Sequence, residues 1–123
     1  MIDNNPEKRR VLVVDDHPKV LKFIAIDLRL RGYDVITVCS GEEALEQVKS
    51  AKPDIMLLDI IMPGMDGFEV LRQLRCFSQL PVITFSASAS NYNDAIQLGA
   101  NDFLAKPFQP DEMIKRIQAL IDR

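Results

Sequence analysis

The chain has 123 residues, 47% of them hydrophobic and 27% charged, with a net charge of −3. That length fits one domain, and the composition is globular rather than disordered. No basic run or basic helix face with interleaved aromatics is present, so no direct nucleic-acid contact is expected, and no apolar run approaches the roughly 18–20 residues of a membrane span.

Residues 1–9 form a polar N-terminal segment without the apolar stretch of a secretory signal, and the folded domain is expected over residues 10–123. Residues 11–14 are a continuous apolar run and read as a buried strand. Pro18 then opens a helix, a position that suits a residue with no N–H and a fixed φ. Val20, Leu21, Ile24 and Leu28 recur along it at helical spacing, and Gly32 closes it. Residues 35–38 read as a second strand. Ser40 and Glu43 have the spacing of a capping box, which starts a helix running to about Ser50 and broken by Pro53. Residues 55–58 are a third apolar strand. The turn-rich stretch Met62-Pro63-Gly64-Met65-Asp66-Gly67 leads into a helix carrying Phe68, Leu71, Leu74 and Arg75. Residues 80–85 read as a fourth strand with Pro81 near its start. Residues 88–98 read as a weaker helix ended by Gly99. Residues 102–105 form a short fifth strand, and Pro110 begins a last helix with Met113, Ile114, Ile117, Leu120 and Ile121 on its apolar face.

These are five β–α units. Near-continuous apolar strands separated by helices predict a parallel sheet covered on both faces, joined by right-handed crossovers. The expected architecture is α/β: a single doubly wound (βα)5 flavodoxin-like domain with a five-stranded parallel sheet of order 2-1-3-4-5.

The ends of the strands carry the chemistry. Strand 1 runs into Asp15-Asp16, strand 3 into Asp59, strand 4 into Ser86 and strand 5 into Lys106-Pro107. A parallel sheet puts all these ends on one edge, and ligands bind there beside the point where strand order reverses. Three carboxylates at one crevice repel, by on the order of 4 kcal/mol per pair at ~4 Å and an effective dielectric of ~20. The cluster must take up protons, pair with Lys106 or hold a cation. Oxygen-only donors suit Mg2+ (with Mn2+ as a substitute) better than Zn2+, and the whole set suits phosphoryl chemistry. Taken singly, Asp59 also reads as a turn former, Asp16 as a helix cap, Lys106 as a surface charge and Ser86 as a local hydrogen-bonder. It is their common edge that argues for a site. His17 reads as a loop residue at a helix start. Met56, Met62 and Met65 read as core or loop anchors. Cys39 and Cys76 read as small apolar fillers in a reduced compartment, with a disulfide between them left open on count alone.

Asp15-Asp16, Asp59 within Leu58-Asp59-Ile60-Ile61-Met62-Pro63-Gly64-Met65-Asp66-Gly67, Ser86-Ala87 and Lys106-Pro107-Phe108 closely resemble the receiver domains of two-component response regulators, over essentially the whole chain. The resemblance implies a cytoplasmic phosphoacceptor. Asp59 would take a phosphoryl group from a phosphohistidine of a sensor histidine kinase or histidine phosphotransfer protein. Asp16 and Asp59 would ligate Mg2+ with the backbone carbonyl of Ile61, and Asp15 would act through a metal-bound water. Lys106 would pair with Asp59 and then with the phosphoryl oxygens. Ser86 would bind a phosphoryl oxygen, and Phe103 would change rotamer. The Lys106–Pro107 bond is expected to be cis, as in the family. Asp102 and Arg116 match charged positions that pair across dimers formed through helix 4, strand 5 and helix 5, so a phosphorylation-dependent homodimer through that face is a candidate. Asn101 and Asn91-Tyr92 depart from the charged residues frequent in the winged-helix DNA-binding subfamily whose dimers that pairing resembles.

The implied protein is a switch with self-phosphorylation and weak autophosphatase chemistry, not a turnover enzyme. A flavin carrier of the same fold would need a phosphate loop rich in Ser, Thr and Gly, whereas Asp15-Asp16-His17-Pro18 repels phosphate. An aspartate phosphatase would need a second Asp where Ile61 stands. A pseudo-receiver acting only as a protein-interaction module is the remaining alternative, and the intact Asp16, Asp59, Ser86 and Lys106 argue against it.

Overall fold

Five short runs of consecutive apolar residues become the strands of one parallel sheet. The structure, a computed structural model, describes residues 8–121, so most of the polar segment expected over residues 1–9 lies outside the described residues. In chain order the elements are β1 (Arg10–Val14), α1 (Pro18–Leu30), β2 (Asp34–Val38), α2 (Gly41–Ala51), β3 (Ile55–Asp59), α3 (Gly67–Leu74), β4 (Val82–Ser86), α4 (Tyr92–Gln97), β5 (Asp102–Ala105) and α5 (Pro110–Ile121), with a 3₁₀ turn Ala89–Asn91 before α4. The sheet order is β2-β1-β3-β4-β5, all parallel, as expected.

Each central strand is buried on both faces, which is why it reads as an unbroken apolar run. Its side chains still alternate. Val11, Val13, Ile55, Leu57, Ile83 and Phe85 face a core closed by α1 and α5. Leu12, Val14, Met56, Leu58 and Val82 face a second core closed by α2, α3 and α4. Truncating one of these leucines to alanine costs about 2–5 kcal/mol, the lost transfer energy plus the cavity left behind.

The helix starts follow their local chemistry. Ser40 caps α2 by accepting from the Glu43 N–H, and the Glu43 carboxylate accepts in return from the Ser40 hydroxyl and from the Cys39 N–H one residue before the cap (both 3.2 Å), a variant of the expected box. Asp66 caps α3 by accepting from the Glu69 N–H. Pro18 opens α1.

Three expectations need correction. β4 begins at Val82, because Pro81 has no N–H for the ladder, and it runs one residue further, to Ser86. The expected helix over residues 88–98 is broken into the 3₁₀ turn and the short α4, of which only Ala95 is buried. Cys39 and Cys76 are not core fillers: both are exposed free thiols, and Cys39 Sγ lies 3.4 Å from the Glu43 carboxylate. Among the described residues no helix is long and apolar enough to cross a membrane.

Candidate functional site

The register of the sheet brings the strand ends together. Val14 of β1 is level with Leu58 of β3, and Asp59 with Phe85 of β4, so the next residues, Asp15, Asp59 and Ser86, emerge at one edge. Lys106 arrives beside them directly after β5, and its N–H donates to the Ser86 carbonyl (2.8 Å). The Lys106–Pro107 bond is cis, as expected.

Asp15 and Asp59 are fully buried and Asp16 partly so. Lys106 Nζ lies 3.4 Å from Asp15 Oδ2 and 3.6 Å from Asp59 Oδ1. It also sits over the Phe85 ring at 4.9 Å, so the ammonium is held by two carboxylates and an aromatic face. Burial, then the charge of Asp15, pushes the Asp59 carboxyl up to about 6, while Lys106 and the Ile61 N–H pull the other way. One ammonium does not neutralise three carboxylates.

The remaining imbalance has a geometric mark. Asp15, Asp16, His17 and Asp59 each offer a ligand atom, and these atoms lie within 4.8 Å of one another. Asp16 Oδ1 is buried and has no hydrogen-bond partner, with His17 Nδ1 at 3.3 Å. An orphaned buried carboxylate oxygen among other carboxylates fits a hard divalent cation held mostly by oxygen.

The isolated readings of these residues fare unevenly. Asp16 does not cap α1: His17 stands at that cap position with no side-chain bond to the helix N–H groups, and the His17 N–H donates to Asp15 Oδ1 (2.9 Å). The turn contact of Asp59 with the Ile61 N–H is long, at 3.4 Å. Lys106 is tucked into the cluster, not a free surface charge. His17 Nδ1 comes within 3.0 Å of Asp15 Oδ1, nearer the carboxylates than its loop position indicated. The Ile61 side chain is 59% exposed at the mouth of the site.

Ser86 is buried, and its hydroxyl accepts from the Ser88 N–H (3.1 Å) and from Asn91 Nδ2 (2.9 Å). Among the described residues it has no hydrogen bond to Asp59. Phe103 is packed inward under Tyr92, with ring centroids 5.7 Å apart and nearly perpendicular. Asp102 and Arg116, matched to cross-dimer positions, pair here within the chain; Arg116 also holds Glu112 (2.7 Å).

Sequence reasoning missed Gly67, Asn91 and Tyr92 as site residues. A Cβ on Gly67 would stand 2.6 Å from the Asp59 carbonyl oxygen, so α3 can start this close to the end of β3 only without one. The visible signal was the turn-rich motif ending in Gly67. Asn91 and Tyr92 stood out in the sequence only as departures from charged residues on the α4 face, with nothing to tie them to Ser86 or Phe103.

Comparison with known proteins agrees with this geometry. The chain is 37% identical over 118 residues to the DNA-binding response regulator MtrA of Mycolicibacterium smegmatis, covering 94% of this chain and 52% of that protein. It is likewise 37% identical over 118 residues to the alkaline phosphatase synthesis transcriptional regulatory protein PhoP of Bacillus subtilis, covering 94% and 49%. The chain therefore spans about half the length of these two regulators. Among solved structures, the BeF3-activated N-terminal receiver domain of Klebsiella pneumoniae RstA superposes with a TM-score of 0.88 at 31% identity, covering 94% of this chain and 100% of that one. The chemotaxis protein CheY4 of Vibrio cholerae gives 0.86 at 31% identity, covering 93% and 99%. The family model described as the response regulator receiver domain matches residues 11–118, and the chain belongs to that family.

Proposed function

We propose that this domain is the phosphoacceptor of a two-component pathway, with Asp59 as the residue that takes the phosphoryl group. The observation that carries the reading is the placement of Lys106 Nζ against both Asp15 and Asp59, at the open edge of the sheet, beside the orphaned oxygen of Asp16. An Asp59 oxygen attacks the phosphorus of a phosphohistidine on a sensor histidine kinase or a histidine phosphotransfer protein. A P–O bond forms to Asp59 as the P–N bond breaks, and the imidazole leaves with its electron pair. Lys106 stays paired to the acceptor and follows the charge onto the transferred oxygens.

Asp15, Asp16, Asp59 and the Ile61 carbonyl are the groups that would hold Mg2+, or Mn2+ in its place. When bound, the cation supplies positive charge to the phosphoryl oxygens during transfer. Ser86 then donates its hydroxyl proton to a phosphoryl oxygen, and Phe103 changes its packing. The protein is a cytoplasmic switch that passes its state to an output domain or partner, with its own slow dephosphorylation and no outside substrate turned over.

Intact-mass measurement after incubation with acetyl phosphate, with and without Mg2+, tests this. Wild type gains one phosphoryl group only with Mg2+, and Asp59→Asn gains none. Wild type that stays unmodified, and does not respond to beryllofluoride, leaves the protein as an interaction module only.

A further inference from the structure

Asp15 divides its two oxygens between different partners. Oδ2 faces Lys106 Nζ at 3.4 Å, and Oδ1 accepts the backbone N–H of His17 at 2.9 Å. The ring nitrogen Nδ1 of His17 lies 3.0 Å from that same Oδ1. It is also 3.3 Å from Asp16 Oδ1, the buried oxygen without a hydrogen-bond partner. Two local constraints deliver the ring to this place. The backbone bond holds His17 against Asp15. Pro18, next in the chain, restricts His17 to extended backbone, with φ −101° and ψ 109°.

These spacings suit shared ligation of one ion. Two ligand atoms each about 2.0–2.2 Å from an ion stand about 3 Å apart when their bonds are at right angles. Nδ1 has that spacing to both carboxylates, and all four ligand atoms of the cluster, His17 included, lie within 4.8 Å of one another. A ring that binds through Nδ1 carries its proton on Nε2, and the side chain is 64% exposed, so solvent can take that hydrogen bond.

We infer that His17 binds the site's cation through Nδ1, and that this nitrogen makes the site prefer a borderline divalent ion of the Zn2+ and Co2+ class over Mg2+. The inference rests on the reading of this cluster as a cation site. Oxygen donors alone favour the hard ion. An imidazole nitrogen adds little for Mg2+, which keeps its waters, and much for Zn2+ or Co2+. The residue after the acidic pair thus decides which ion the acceptor site takes. The rival role for His17 is to orient Asp15 by donating Nδ1–H to Oδ1. That role would act on both ions alike, and His17→Asn would keep an N–H donor for it.

The test is calorimetric titration with Mg2+ and with Zn2+, each also in the presence of the other ion. The parent carries Cys39→Ser and Cys76→Ser, because both thiols are exposed and thiolates hold Zn2+ themselves. His17→Ala and His17→Asn are compared in that background. The parent should bind Zn2+ more tightly than Mg2+, with each ion displacing the other. Both His17 variants should lose about 10- to 100-fold in Zn2+ affinity and keep their Mg2+ affinity. The chain has one histidine, so its ring nitrogens are read by NMR without ambiguity. Zn2+ should shift Nδ1 far more than Nε2, and Mg2+ should leave both nearly in place. Mg2+ bound more tightly than Zn2+ by the parent overturns the role of His17 alone. Variants that lose both ions equally, or a Zn2+ shift centred on Nε2, do the same. A parent that binds neither ion brings down the cation site, and the role of His17 with it.

Discussion

Asp59 carries its charge where burial and the neighbouring carboxylates oppose it. The carboxyl titrates near 6 in the folded chain, against 3.8 for a free one. Below the lower value it is neutral in both folded and unfolded chains, and the stability linked to its proton is fully present. As pH rises through the window up to about 6, the unfolded chain releases that proton more readily, and the contribution is lost. In chelator near neutral pH, Asp59→Asn should therefore be more stable than wild type, by up to about 3 kcal/mol. The difference should disappear below about pH 4, and denaturant unfolding across that range measures it. Ile61 acts on a different property of the same site. Its exposed apolar side chain screens the mouth, and Ile61→Asn should shorten the lifetime of the phosphorylated form by up to about tenfold, or ~1.4 kcal/mol in the barrier. Release of phosphate from the purified phosphoprotein reports it, and equal decay rates would remove that role.

At the scale of elements, the approach of α3 to the end of β3 is the tightest constraint on the site. A methyl group on Gly67 meets backbone atoms of Asp59 and Ile60, at 2.6 and 2.7 Å, and backbone cannot swing aside. Gly67→Ala should cost about 1–3 kcal/mol of stability and slow phosphorylation by displacing the acceptor strand. Loss of stability at an unchanged phosphorylation rate would confine Gly67 to packing. The elements themselves were largely legible in the sequence, since buried parallel strands leave continuous apolar runs and caps leave Ser40-Glu43 and Pro18. The 88–98 region was legible only in part: α4 lies within the expected helix, but Ala95 is its one fully buried residue, with Ile96 and Leu98 partly buried against the core, too weak a stripe to mark the 3₁₀ turn before it. The strand-end carboxylates and Lys106 could be placed together because parallel strands share an edge. Asn91 could not, because its bond to Ser86 depends on how the 3₁₀ turn folds back over β4. The cysteines were misjudged for a related reason: Cys39 lies just past the end of β2, where composition says nothing of which way a side chain faces.

For the molecule as a whole, the face of α4, β5 and α5 is the candidate place for a second copy. Asp102 and Arg116 are already joined within one chain, and Arg116 also holds Glu112 and the Phe103 carbonyl. A dimer through this face must keep that pair intact or exchange it, and a movement of Phe103 would disturb its carbonyl contact first. Sedimentation should show the mass doubling when beryllofluoride and Mg2+ are added, and an unchanged mass removes the dimer. The aromatic composition has a practical consequence here. The chain has no tryptophan and two tyrosines. Tyr33 is buried in the α1–α5 core, while Tyr92 stands half-exposed against Phe103. Near-ultraviolet tyrosine emission is thus not masked by an indole, and a repacking of Phe103 would be read without a label in the emission of the Tyr92 ring against it.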